Sequence, residues 1–199
     1  MALDAAATVP YGPRFDAGRI CLELLATAHP AERLDSVGPL RAWITACGLV
    51  PPGTPLGHAD ASWPAAFREL RTIVDRLVRG TAEAGAPPHG PALGRLNEAA
   101  RAAAPPAPCA VRGADGTLVR ELAAPPTCGQ LLAVVARDAV ELLTDPVARA
   151  AVRQCEGGDC PLVYLDTSRG RRRRWCSSAV CGNRARVARH RRRAAVTRT

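Results

Sequence analysis

Apolar residues recur at helical intervals through most of the first 145 positions, and breaks rich in proline and glycine at Val50–Pro64, Gly85–Pro91, Ala104–Pro108 and Ala123–Gly129 divide them into segments. Arg14–Ala28 places Ile20, Leu24 and Leu25 on one helix face, and Leu40, Trp43, Ile44 and Cys47 repeat the i, i+3, i+4, i+7 pattern. The longest predicted helix runs from about Pro64 to Glu83. Phe67, Leu70, Val74, Leu77 and Val78 form its stripe, Arg68, Glu69, Arg71, Asp75 and Arg76 lie mostly outside it, and Pro64 suits a first turn. A shorter helix spans Leu93–Ala103. The period then changes: Cys109–Arg112 and Thr117–Leu122 flank Ala114-Asp115-Gly116, which predicts a β-hairpin. Gln130–Leu143 is apolar on most sides, as expected of a helix central to the core. Thr144 or Asp145 ahead of Pro146 predicts one more helix, ending near Gln154.

The fold class expected is mainly α: a helical N-terminal domain with a small β-hairpin over residues 1–148, then a C-terminal module over 149–199. Of the apolar residues, which make up 47%, only seven are aromatic, so the core must come from Leu, Val and Ala. The first thirty residues lack a basic start followed by an apolar run, and the apolar stretch Leu131–Ala136 is too short to span a bilayer. A soluble, cytoplasmic chain with no membrane partner is the expectation.

Charge divides the chain sharply. Residues 149–199 hold 14 Arg and three acids, a balance of +11, whereas residues 1–148 hold 13 Arg and 15 acids, a balance of −2. A local excess of this kind fits phosphates or an acidic surface. Lysine is absent, which a GC-rich genome explains as well as function does.

Four of the eight cysteines are scattered (Cys21, Cys47, Cys109, Cys128), and four form two pairs, Cys155/Cys160 and Cys176/Cys181, each with four intervening residues. Two tight turns facing one another can set four thiolates at the corners of a zinc tetrahedron. Gly157 and Gly158 permit the first turn, and Gly182 closes the second with backbone freedom other residues lack. Disulfides and unliganded buried cysteines are the alternatives; the missing secretory signal argues against the first, and equal spacing in the most polar part of the chain against the second. Residues 155–183 have few apolar groups, so metal binding must supply folding free energy. The cofactor expected is zinc.

Beyond the second pair, Arg184–Arg193 is helix-compatible, with Asn183 or Ser177 to cap its start. Val180, Val187, Ala188 and Ala195 would make an apolar stripe against the zinc core, leaving Arg186, Arg189 and Arg193 as a basic ridge. Arg171, Arg172, Arg173 and Arg174 fall on the loop between the cysteine pairs. Together with Arg184 these arginines are the candidate nucleic-acid contacts, since guanidinium groups fork onto phosphates and guanine edges. Trp175 is expected to pack over the finger, and His190 has no place in a tetrahedron already full of sulfur.

Cys155-x4-Cys160, Leu165-Asp166-Thr167-Ser168-Arg169, Arg174-Trp175-Cys176-Ser177 and Cys181-Gly182-Asn183-Arg184, in that order, resemble the CGNR zinc-finger family. The resemblance covers about 45 residues, departing in a longer basic run at Arg171–Arg174 and in Tyr164 where phenylalanine is common. Members usually carry ahead of the finger a domain called ABATE, linked to stress-induced transcriptional regulation, and residues 14–28 and the helix–hairpin–helix order up to Leu143 look like it. The resemblance implies zinc on the four cysteines, DNA as partner, and a small-molecule ligand for the N-terminal domain; a homodimer would suit paired half-sites. Two other functions compete: a finger docking an acidic protein, and an enzyme with Cys21 and His29 or His58 as nucleophile and base. No catalytic residues are assigned, and a non-enzymatic role is expected.

Overall fold

The computed structural model describes residues 17–80 and 90–196, with side chains of 192 and 194–196 left aside. Helices α1 (Ile20–Ala26), α2 (Val37–Ala46), α3 (Ser62–Gly80) and α4 (Gly90–Arg101) are followed by the hairpin strands β1 (Pro108–Arg112) and β2 (Leu118–Leu122), then α5 (Cys128–Thr144) and the single turn α6 (Pro146–Arg149). The C-terminal part holds strands β3 (Val152–Gln154) and β4 (Val163–Leu165), a π-turn at Ser178–Gly182, and α7 (Asn183–Val196).

The stripe read on α3 is the inner face of the helix: Phe67, Leu70, Val74, Leu77 and Val78 are all buried. Burying such side chains contributes roughly 1.5–3 kcal/mol each before the entropy of ordering them. Trp43 of α2 meets Phe67 edge-on, with ring centroids 5.8 Å apart. Helix α5 runs through the middle, packed against α1, α3 and α4, with Leu131, Val135, Ala136, Ala139 and Leu142 buried. It starts on a reciprocal cap: the Gln130 N–H donates to the Thr127 hydroxyl (3.3 Å), and the Thr127 N–H donates to Gln130 Oε1 (2.9 Å). Its polar edge ties down neighbours. Arg137 donates to the carbonyls of Ala100 and Ala103, and Asp138 pairs with Arg19 at 2.9 Å and accepts from the Cys21 N–H.

The first hairpin pairs antiparallel in the expected place, with Val111 opposite Val119, and turns at Gly116, whose φ of 81° is open to glycine. The first helix is shorter than expected. It begins at Ile20; residues 14–16, and the expected end of α3 at Glu83, lie outside the described residues. The helix expected to reach Gln154 is a larger correction. The Asp145 carboxylate does cap its start, accepting from Val147 and Ala148, but the helix stops at Arg149 and residues 152–154 form a strand. The Asp166 N–H donates to the Ala151 carbonyl (2.9 Å) and the Cys155 N–H to that of Leu162 (2.8 Å), so cross-strand bonds replace the helical ladder.

This second hairpin joins the finger to the helical domain. The Leu165 N–H donates to the Ala17 carbonyl (2.8 Å), Arg79 of α3 donates to the Pro161 carbonyl (2.8 Å), and buried Val163 and Tyr164 extend the hydrophobic core. Gly18 sits in this joint with φ of 81°, and a Cβ there would lie 3.3 Å from Leu165 Cβ. Gly18→Ala is expected to cost about 1–2 kcal/mol, lowering the thermal midpoint by roughly 2–8 °C. Gly94→Ala, on the open face of α4 with nothing near the added methyl, is expected to raise it. Differential scanning calorimetry of the two variants checks both signs.

Candidate metal centre

The four paired cysteines converge. All four Sγ atoms lie within 4.8 Å of one another, and the Cys160–Cys176 and Cys176–Cys181 separations are 3.7 Å. Sulfurs at the corners of a tetrahedron with zinc–sulfur bonds of about 2.3 Å are about 3.8 Å apart, so the donors have the right kind and spacing for one zinc ion. The scattered cysteines stay outside: Cys21, Cys47, Cys109 and Cys128 are free thiols elsewhere in the fold.

Local hydrogen bonds build each knuckle. After β3 the chain turns back through Cys160 N–H to Gly157 O (2.9 Å), while Glu156 N–H donates to Arg174 O (2.9 Å) and draws the second knuckle alongside. A Cβ on Gly157 would stand 3.3 Å from Cys181 Cβ and Sγ, so glycine suits this close approach and a larger residue would press on the ligand. Gly182 serves differently from the expectation. It takes no left-handed conformation; it lies inside the π-turn closed by Gly182 N–H to Ser177 O (3.0 Å), against the ring of half-buried Trp175. Trp175 thus packs on the finger as read.

Asp166 and Arg173 hold the link between the knuckles. The buried Asp166 carboxylate accepts from the Ser168 hydroxyl (2.6 Å), the Ser168 N–H (3.0 Å) and the Arg173 N–H (3.1 Å); these bonds, the hydroxyl's first, hold its carboxyl below the usual range. Arg173 lies 4.4 Å over the Tyr164 ring and donates to the carbonyls of Trp175 and Cys176, and its own carbonyl accepts from the Tyr164 hydroxyl (2.5 Å). Arg174 pairs with Glu156 and covers Trp175 at 5.3 Å. Arg173 is therefore engaged inside the finger, whereas Arg171, Arg172 and the Glu156-paired Arg174 are exposed. Sequence reasoning missed this division, and Asp166, seven positions before Arg173, was the available signal.

Electrostatics show why these sulfurs need a cation. Burial opposes ionisation of Cys155, but N–H groups of Cys176 (3.3 Å) and Gly157 (3.5 Å) point at its sulfur and hold the thiol below its ordinary value. Burial pushes Cys160 up, and it pushes Cys176 up further with the Cys155 sulfur beside it. A dication makes four adjacent thiolates compatible.

Helix α7 continues from the π-turn. Neither expected cap acts as one, since the Ser177 side chain makes no capping bond and Asn183 is already helical. The apolar stripe is also corrected: Val187 and Ala188 are exposed and Ala195 is outside the described side chains, the main packing of α7 being against the π-turn. Arg184, Arg186, Arg189, His190 and Arg193 are exposed. Elsewhere, Cys21 is fully buried, and its thiol is pushed well above the ordinary range by burial and by Asp138. Exposed His58 bonds to the Pro126 carbonyl, and no hydrogen bond joins Cys21 to either histidine among the described residues.

One zinc per chain is expected by plasma mass spectrometry. Cys→Ser at 155, 160, 176 or 181 is expected to abolish it, and Cys109→Ser to leave it intact. Full occupancy in a C176S variant is the outcome against this centre.

Residues 18–146 match the ABATE model, described as a putative stress-induced transcription regulator, and residues 151–194 match the CGNR zinc finger. No curated protein matches the chain. Among the described residues no helix is long and apolar enough to cross a membrane. With the first match spanning well over half of the chain and the second enclosing all four sulfurs, this protein belongs to the ABATE family and carries a CGNR zinc finger.

Proposed function

We propose that the chain is a DNA-binding transcription regulator whose finger grips the duplex through arginines, and whose helical domain senses a small molecule. The observation that supports this best is α7. It rises from the zinc turn with its described side chains from Arg186 to Arg191 exposed, and no acidic residue follows Asp166 in the sequence. Such a helix repels itself, and a polyanion relieves the repulsion. Its 14 residues extend about 21 Å, and the major groove of B-DNA, about 12 Å wide, admits a helix. Guanidinium groups fork onto phosphates and onto guanine O6 and N7.

Arg173 braces the finger, so the proposed contacts are Arg171, Arg172, Arg184, Arg186 and Arg189, with Arg193 further along and the exposed Arg174 competing between Glu156 and phosphate. About five phosphate contacts give a log–log salt slope near −4 to −5 on duplex DNA. Arg189→Ala is expected to reduce that slope by about 0.9 in fluorescence-anisotropy titrations. Arg173→Ala is expected to lower the stability of the finger. Selection from a random duplex pool should recover a preferred sequence; a flat salt response with no enrichment would instead place an acidic protein on this surface.

A further inference from the structure

The link between the two knuckles ends in a tip with an uncommon backbone. Arg171 has φ of 46°, in the left-handed region, while Gly170, which would enter that region freely, does not occupy it. An L residue there brings its Cβ against the following carbonyl oxygen. The tip holds this conformation because it is built from below. Asp166 is 2% exposed, and its carboxylate fixes Ser168 and the Arg173 N–H. Ser168 in turn accepts the Arg171 N–H on its carbonyl (2.9 Å) and the Arg172 N–H on its hydroxyl (3.2 Å). Strain that the surroundings hold in place gathers where a side chain has to be aimed.

The side chains aimed here are cationic. Arg169, Arg171 and Arg172 are exposed, and among the described residues their guanidinium groups have no hydrogen-bond or ion-pair partner. Asp166, the acid nearest in sequence, is buried and already accepts three hydrogen bonds. Gly170 keeps the tip slim, the Arg172 side chain passing 3.6 Å from where a Cβ would stand.

A slim cationic tip can enter what α7 cannot. The major groove, about 12 Å wide, takes a helix, whereas the minor groove, about 6 Å wide, takes a loop or single side chains. A·T tracts narrow the minor groove and deepen its negative potential, and arginine, planar and weakly hydrated, is drawn into it. Reach permits both contacts at once. Arg171 is four residues from Trp175, at most about 14 Å of chain, and Trp175 lies against Gly182, the residue before α7. One duplex turn of about 34 Å carries one groove of each kind, so adjoining grooves are about 17 Å apart.

We propose that residues 169–172 enter the minor groove of an A·T-rich tract beside the major groove that takes α7, with Arg171 reading the width of the groove. The proposal rests on the reading that the finger binds duplex DNA, and adds to it a determinant of sequence that α7 does not supply.

Duplex pools of equal length, with random flanks around an A·T, a G·C or an inosine·cytosine tract, are titrated with the zinc-loaded full chain by fluorescence anisotropy. Inosine lacks the guanine N2 amino group, so its tract has the minor-groove face of A·T and the major-groove face of G·C. The A·T and inosine tracts are expected to bind at least about fivefold more tightly than the G·C tract. Arg171→Lys keeps the charge without the planar group, and is expected to bring the three tracts within about twofold at an unchanged salt slope. Arg171→Gly, at ease with a positive φ, is expected to lose the preference while zinc content and thermal midpoint are retained, so that misfolding is not the cause. Equal binding of the three tracts, an inosine tract that follows G·C, or a preference that survives both variants would overturn the minor-groove contact and leave DNA binding in place. Absence of binding to every pool removes the DNA-binding reading as well.

Discussion

Four sulfurs within 4.8 Å of one another are the constraint on which the C-terminal quarter of this protein depends. Without a cation they conflict: hydrogen bonds favour a thiolate at Cys155, and that charge, with burial, disfavours another at Cys176. A zinc ion removes the conflict and turns three short segments into one body. Those segments are the β3–β4 hairpin, the turn under Asp166 and the π-turn, and none has enough apolar surface to hold itself. The direction of α7 follows from the same ion, since the π-turn that ends at Gly182 carries both Cys181 and the start of the helix.

The finger is fastened to the helical domain rather than hung from it. Strand β4 bonds to Ala17, Arg79 reaches the knuckle at Pro161, and Tyr164 is buried in the shared core. A change at the joint therefore bears on both parts. Within the finger, identical arginines have different tasks because their neighbours differ. Arg173 meets Tyr164, Asp166 and two carbonyls and acts as a brace, whereas Arg171 and Arg172 meet solvent.

Much of this was legible in the residues alone. The inner face of α3, the central place of α5 and the first hairpin follow from periodicity, because neighbours three, four or two apart share a face whatever packs against it. The metal centre follows from spacing, since two x4 turns bearing only sulfur leave few other uses for those side chains. The order of motifs also carried the family, whose two domains cover residues 18–146 and 151–194.

What the residues alone determined, then, is whatever depends on neighbours along the chain: helix faces, turn positions and the chemical identity of the ligands. Only the tertiary structure decided the rest. Val152–Gln154 has the makings of a helix end and becomes a strand because Val163–Leu165 lies beside it. Val187 and Ala188 have the makings of a buried stripe and stay exposed because no described residue comes to cover them. Gly157 is small for the sake of Cys181, twenty-four positions away. Each outcome turns on a partner distant in sequence, and the free energy of such contacts exceeds the weak local preferences that a single sequence reveals.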